Sequence, residues 1–137
     1  MACTKAGLGN DYLKWLDIWR ENIKMGMTTW AEISNISETR SDCHAWGASP
    51  NIEFYRTILG IDSDAPGFGK IKIEPHLGDL RNISGSIPHP NGTVAASYKL
   101  ENNKWKIVID LPKNTDGYLV WKEKKYPLKT GNNTFDL

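Results

Sequence analysis

Apolar side chains change their spacing about halfway along this chain. From Tyr12 to Met25 the residues Tyr12, Trp15, Leu16, Ile18, Trp19, Ile23 and Met25 fall mostly on one broad face at helical spacing. Asn10 or Asp11 is suited to cap that segment, and Lys24 followed by Gly26 suits its end, so the pattern predicts a helix over 11–25. A second helix is expected from Ser49 as cap and Pro50 at the first helical position, with Ile52, Phe54, Tyr55, Ile58 and Leu59 on its apolar side and Gly60 ending it. After the turn-rich stretch Asp62–Gly69 the period falls to two. Ile71 and Ile73 alternate with Lys70, Lys72 and Glu74, and similar runs cover 80–87, 93–100, 105–111, 118–121, 125–128 and 134–137. Turn residues separate them at Asn91-Gly92, Asn102-Asn103 and Asp116-Gly117.

The pattern therefore predicts an α + β chain, helical over residues 1–61 and a small antiparallel β-sandwich over 62–137. The segment 80–87 is expected to pair with 70–75, and Asp62–Gly69 is expected to connect the two parts. The helical face of Tyr12, Trp15 and Trp19 reads as packing surface, and it is large for a chain with so little other helix.

With 137 residues there is room for one domain, or for helical structure plus a small β domain. The formal charge of +1 provides no electrostatic footprint for nucleic acid or an anionic membrane, and the Lys122–Lys125 run, broken by Glu123, reads as a solvated turn. Cys3 and Cys43 make no disulfide framework, and no Cys/His spacing suggests a metal site; no cofactor is expected. The first thirty residues hold no apolar run of signal-peptide or membrane-span length. His76 and His89, each beside a proline, read as turn or surface residues.

Chemistry concentrates between Thr28 and Pro50. Trp30 and Trp46, three acidic residues (Glu32, Glu38 and Asp42), Arg40, His44 and Cys43 crowd a stretch with neither helical nor strand period. Indole faces beside carboxylates and a histidine suit a sugar, whose C–H faces lie on aromatic rings while its hydroxyls take polar partners. The same composition suits an irregular loop that buries two tryptophans as plugs and leaves its charges in solvent.

The ordered set AGLGNDYLKWLDIW, GMTTWAE, TRSDCHAWGASPNIEFYRTILGI, APGFGKIKIEPHLGDL and GSIPHPNG resembles the C-terminal portion of bacterial α-L-rhamnosidases of glycoside hydrolase family 78. It runs from about Ala6 to about Gly92 and continues more loosely to the end. The resemblance implies that residues 1–61 are the last helices of an (α/α)6 catalytic barrel and that 62–137 are the β domain behind it. It implies that Glu32, closing TTWAE, is the general base of an inverting hydrolysis. His44 would contact rhamnose hydroxyls, Trp30 and Trp46 would wall the sugar pocket, and Asp42 and Arg40 would organise the loop by an ion pair; if Glu32 instead only caps or braces the loop, Arg40 is its candidate partner.

Inverting hydrolysis needs two carboxyl groups about 6.5–9.5 Å apart, an acid for the leaving oxygen and a base for water. The resemblance matches only the base. Glu38 or Glu53 could stand in as the acid, but Glu53, in the first turn of the second helix, is a poor one because the helix dipole favours its ionised form, and 137 residues are too few for six helix pairs plus a β domain. The expectation is a C-terminal fragment, inactive alone, whose partners are a rhamnose-containing glycan or glycoside and the missing N-terminal barrel, or a second copy meeting it through the exposed helical face. A non-catalytic carbohydrate-binding or structural β module is the alternative. A bacterial parent would be cytoplasmic or periplasmic, and the sequence does not select between them.

Overall fold

The computed structural model describes residues 2–137. Its β part is two four-stranded sheets face to face. β1 (Ile61–Ser63), β2 (Ile71–Ile73), β6 (Gly117–Trp121) and β7 (Lys124–Leu128) form one sheet in the order β1-β2-β6-β7. β3 (Asn82–His89), β4 (Gly92–Glu101), β5 (Lys104–Leu111) and β8 (Gly131–Asp136) form the other, in the order β3-β4-β5-β8. The two-residue alternation decides which side chains meet between them. Ile71, Ile73 and Leu119 from the first sheet and Val94, Ala96, Tyr98, Ile107, Ile109 and Leu111 from the second share one buried core.

The pairing departs from the sequence expectation in one respect. β3 pairs antiparallel with β4, and β2 lies instead between β1 and β6, to which it runs parallel. Gly117 makes that parallel contact feasible, since a side chain there would place Cβ 2.2 Å from the Ile71 carbonyl oxygen. The sandwich also begins earlier than the turn composition suggests. β1 opens at Ile61 and runs into the stretch read as connector, and Leu59 already belongs to the shared core. The turns at Asn102-Asn103 (φ 50° and 61°) and Lys122-Glu123 (φ 47° and 68°) close tight two-residue hairpins between β4 and β5 and between β6 and β7.

The helical part is more broken than its apolar spacing predicts. After α1 (Ala2–Lys5), a 3₁₀ segment covers Gly9–Trp15, and the α-helical stretch α2 is confined to Asp17–Lys24. α3 (Pro50–Glu53) starts on Pro50 as expected, but Ser49 makes no side-chain cap bond, and the segment widens into a π-helical turn over Phe54–Ile58. Gly60, at φ +76°, ends it. Two contacts fasten this end to the sandwich. The Tyr98 hydroxyl donates to the Leu59 carbonyl at 2.7 Å, and the Glu74 amide donates to the Gly60 carbonyl at 2.9 Å.

Elsewhere the helical part has little cover. Every exposed large apolar side chain among the described residues lies between Leu8 and Tyr55, including Trp15, Ile18, Ile23, Met25 and Phe54. Contiguous apolar exposure on that scale marks a surface built to meet another. No helix among the described residues is long and apolar enough to cross a membrane.

Candidate active site

The loop between α2 and α3 is irregular because hydrogen bonds between its two arms replace a regular ladder. The Glu32 amide donates to the Ser41 carbonyl at 2.9 Å, and the His44 amide donates to the Trp30 carbonyl at 2.9 Å. Side chains complete the cross-linking. The Trp46 indole N–H donates to the Glu32 carbonyl at 2.8 Å, the Thr39 hydroxyl to the Ser41 carbonyl at 2.7 Å, and the Thr29 hydroxyl to the Asp42 carbonyl. The Trp19 indole N–H, reaching from α2, holds the far arm at the Gly47 carbonyl at 2.6 Å. Tryptophan and threonine thus satisfy backbone groups that a strand would pair with another strand.

These bonds fix Glu32 on the wall of a small cleft. Its side chain is 6% exposed, and its carboxylate accepts a hydrogen bond from Arg40, whose own side chain is 85% exposed. That hydrogen bond is the main reason the Glu32 carboxyl lies below the usual carboxylate range. Burial opposes the shift, while the charge of Arg40 and, when protonated, that of His44 add to it. Arg40 therefore reaches Glu32, where an ion pair with Asp42 was expected. The His44 and Trp46 rings lie 3.8 Å apart between centroids, inclined by 40°.

Not all the expected site residues share one cleft. Glu32 and Trp46 line a cavity of about 130 Å³ together with Trp19 and Asn22. Trp30 faces a different, apolar cleft of about 340 Å³ with Trp19, Pro50 and Phe54. The cavity at Glu32 is smaller than the ~300 Å³ or more of a typical small-molecule pocket, and no second carboxylate lines it among the described residues. Among the carboxylates named as stand-in acids, Glu53 accepts from the Thr57 hydroxyl at 2.6 Å. Burial opposes its ionisation, but that bond and nearby positive charge hold its carboxyl below the usual range. Among the described residues no group of three or more His, Cys, Asp or Glu side chains is placed to hold a metal ion.

Sequence reasoning passed over Asn22. It is 1% exposed, lines the cavity at Glu32, and its Oδ1 has no hydrogen-bond partner. The signal lay in the helical period, since Asn22 stands four residues after Ile18 and puts a polar group in line with an apolar stripe.

Comparison with known proteins gives the chain a family. Residues 60–136 match the bacterial alpha-L-rhamnosidase C-terminal domain. The chain belongs to that family. An alpha-L-rhamnosidase of Alteromonas sp. (strain LOR) is 34% identical over 68 residues, which are 49% of this chain and 7% of that protein. Among solved structures, the GH78 family rhamnosidase of Bacillus sp. GL1 superposes with a TM-score of 0.78 at 28% identity, covering 89% of this chain and 14% of that one. The native α-L-rhamnosidase of Aspergillus terreus superposes with a TM-score of 0.75 at 21% identity, covering 87% and 15%. These shares extend the structural likeness beyond the rhamnosidase C-terminal domain into the helical part. The chain spans only a small fraction of each relative's length.

Proposed function

We propose that this chain is the C-terminal part of an inverting α-L-rhamnosidase that hydrolyses terminal α-L-rhamnosyl linkages in glycans or glycosides. In this reading residues 1–61 complete an (α/α)6 catalytic barrel and 62–137 are the β-sandwich behind it. Glu32 is the general base, taking a proton from the water that attacks the anomeric carbon, while an acid from the preceding barrel protonates the leaving oxygen. His44 contacts rhamnose hydroxyls, and Trp46 and Trp30 offer aromatic walls. The observation that carries the reading is the state of Glu32. It is a nearly buried carboxylate, kept ionised as a base requires, on one wall of a cleft too small to be a whole sugar site. The uncovered apolar face from Trp15 to Phe54 supports it, since a preceding barrel would pack there; in its absence a second copy of the chain is the natural cover.

The Arg40 contact also favours a second reading, a non-catalytic carbohydrate-binding or structural module in which Glu32 only braces the loop. Glu32→Gln in the complete enzyme separates the two. The amide is isosteric but cannot take a proton from water, so a base predicts nearly unchanged rhamnose affinity with kcat lower by roughly 10²-fold or more. A brace predicts a lower melting temperature with kcat of the folded fraction retained. His44→Ala should raise KM, because lost hydroxyl contacts weaken binding of the sugar.

A further inference from the structure

The sandwich carries a second cleft, of about 440 Å³, that shares no lining residue with the cavity at Glu32. Its floor and sides come from distant parts of the chain. Trp105 of β5 and Trp121 of β6 meet edge to face with ring centroids 5.6 Å apart, His76 follows β2, and the Lys122-Glu123 turn forms the rim. Asn10 closes it from the helical side, where its side-chain oxygen accepts from the Gly78 amide at 3.3 Å.

We propose that this cleft binds a neutral pyranose unit of a glycan, with the Trp105 and Trp121 indoles as its apolar wall and the surrounding polar side chains as partners for its hydroxyls.

Three observations converge on that ligand class. The volume lies within the ~300–1,000 Å³ of small-molecule sites, and the lining mixes aromatic surface with a few convergent polar groups. A pyranose has the same division, with C–H faces that lie on indole and a hydroxyl rim that both donates and accepts. Second, the lining supplies polar groups of both kinds, the Glu74 and Glu123 carboxylates as acceptors and the Lys122 ammonium as a donor. A polyhydroxyl ligand brings partners of both kinds.

Third, the charges in the lining are mixed. Lys122 is set against Glu123 and Glu74, and Glu74 already pairs with Lys72 at 2.9 Å, so neither an anion nor a cation finds a field of one sign.

The test is a ¹H–¹⁵N titration of the 137-residue chain with the methyl pyranosides of L-rhamnose, D-galactose and D-glucose, read at the assigned tryptophan indole N–H signals. The expected result is a saturable shift of the Trp105 and Trp121 signals with at least one sugar, the Trp30 and Trp46 signals being unaffected or saturating independently. Trp105→Ala should weaken that response by roughly tenfold or more. Because Trp105 also touches the core, Val120→Trp is the companion variant. Val120 is half-buried and lines the cleft, so the larger ring fills the cleft and leaves the inward residues of β6 in place. The inference is overturned if none of the three sugars moves the Trp105 and Trp121 signals at tens of millimolar. Shifts confined to Trp30 and Trp46 overturn it too, as does a response that Val120→Trp leaves intact. Since Glu32 takes no part in this cleft, its failure leaves the proposed hydrolase reading untouched.

Discussion

Replacing Tyr98 by phenylalanine removes one oxygen atom from the centre of the sandwich and tests what fastens the helical part to it. The Tyr98 ring is fully buried, stacks within 10° of parallel to Trp121, and donates its hydroxyl to the Leu59 carbonyl at 2.7 Å. Phenylalanine keeps the ring and leaves no cavity, so the change isolates the hydrogen bond. A buried acceptor left unpaired costs about 1–3 kcal/mol, and urea unfolding at pH 7 should show that loss with an unchanged slope. The alkaline limb gives a second reading. Burial raises the Tyr98 pKa above its ordinary 10.0, so the unfolded chain ionises first. The stabilisation is whole below pH 10 and falls as pH rises beyond it, by up to about 1.4 kcal/mol per pH unit. Tyr118 is pushed up to about 12, first by burial and then by its bond to Asp64, and adds a decline of the same sign in both proteins. The difference between the two proteins therefore belongs to Tyr98. A loss below about 0.5 kcal/mol at pH 7, or equal alkaline slopes, would refute the buried anchor.

Two further outcomes are expected of the isolated chain. In a dilute monomer, amide exchange should be slow along β4 and β5 and fast over Asp17–Lys24, whose apolar face is uncovered; equal protection in both would show that the helical part needs no partner. On aryl rhamnosides the 137-residue chain should show no turnover, because a lone base forgoes the acid's contribution of roughly 10²–10⁴-fold and most substrate positioning. Robust hydrolysis by the purified chain would contradict the missing acid.

The sandwich was legible wherever the cause was local. Alternation in β4 and β5 puts Val94, Ala96 and Tyr98 opposite the side that carries Ser97 and Lys99, and Asn102-Asn103 supplies the left-handed pair that a two-residue hairpin requires. Pairing between β2 and β6 was not legible, because a parallel contact joins segments far apart in sequence, and its one local trace is the glycine at 117. The helical part misled for a related reason. Its apolar stripe is real, but a stripe stabilises a long helix only when something packs on it, and Ile18, Ile23 and Met25 of this one stay exposed.

At the candidate site, composition singled out the loop and the resemblance singled out Glu32. Neither could show that Arg40 pairs with Glu32 and not with Asp42, that Trp30 faces another cleft, or that Asn22 lines the same cavity as Glu32. Those placements depend on how the two arms of the loop cross.

Azide rescue of Glu32→Ala in the complete enzyme is the most direct test of the role proposed for Glu32. The small anion fits where the carboxylate or its water stood and attacks the anomeric carbon without needing a base. If Glu32 is the base of an inverting hydrolysis, azide restores turnover and the product is the glycosyl azide of inverted configuration. Absence of rescue in a folded variant, or a glycosyl azide of retained configuration, would remove Glu32 from that role.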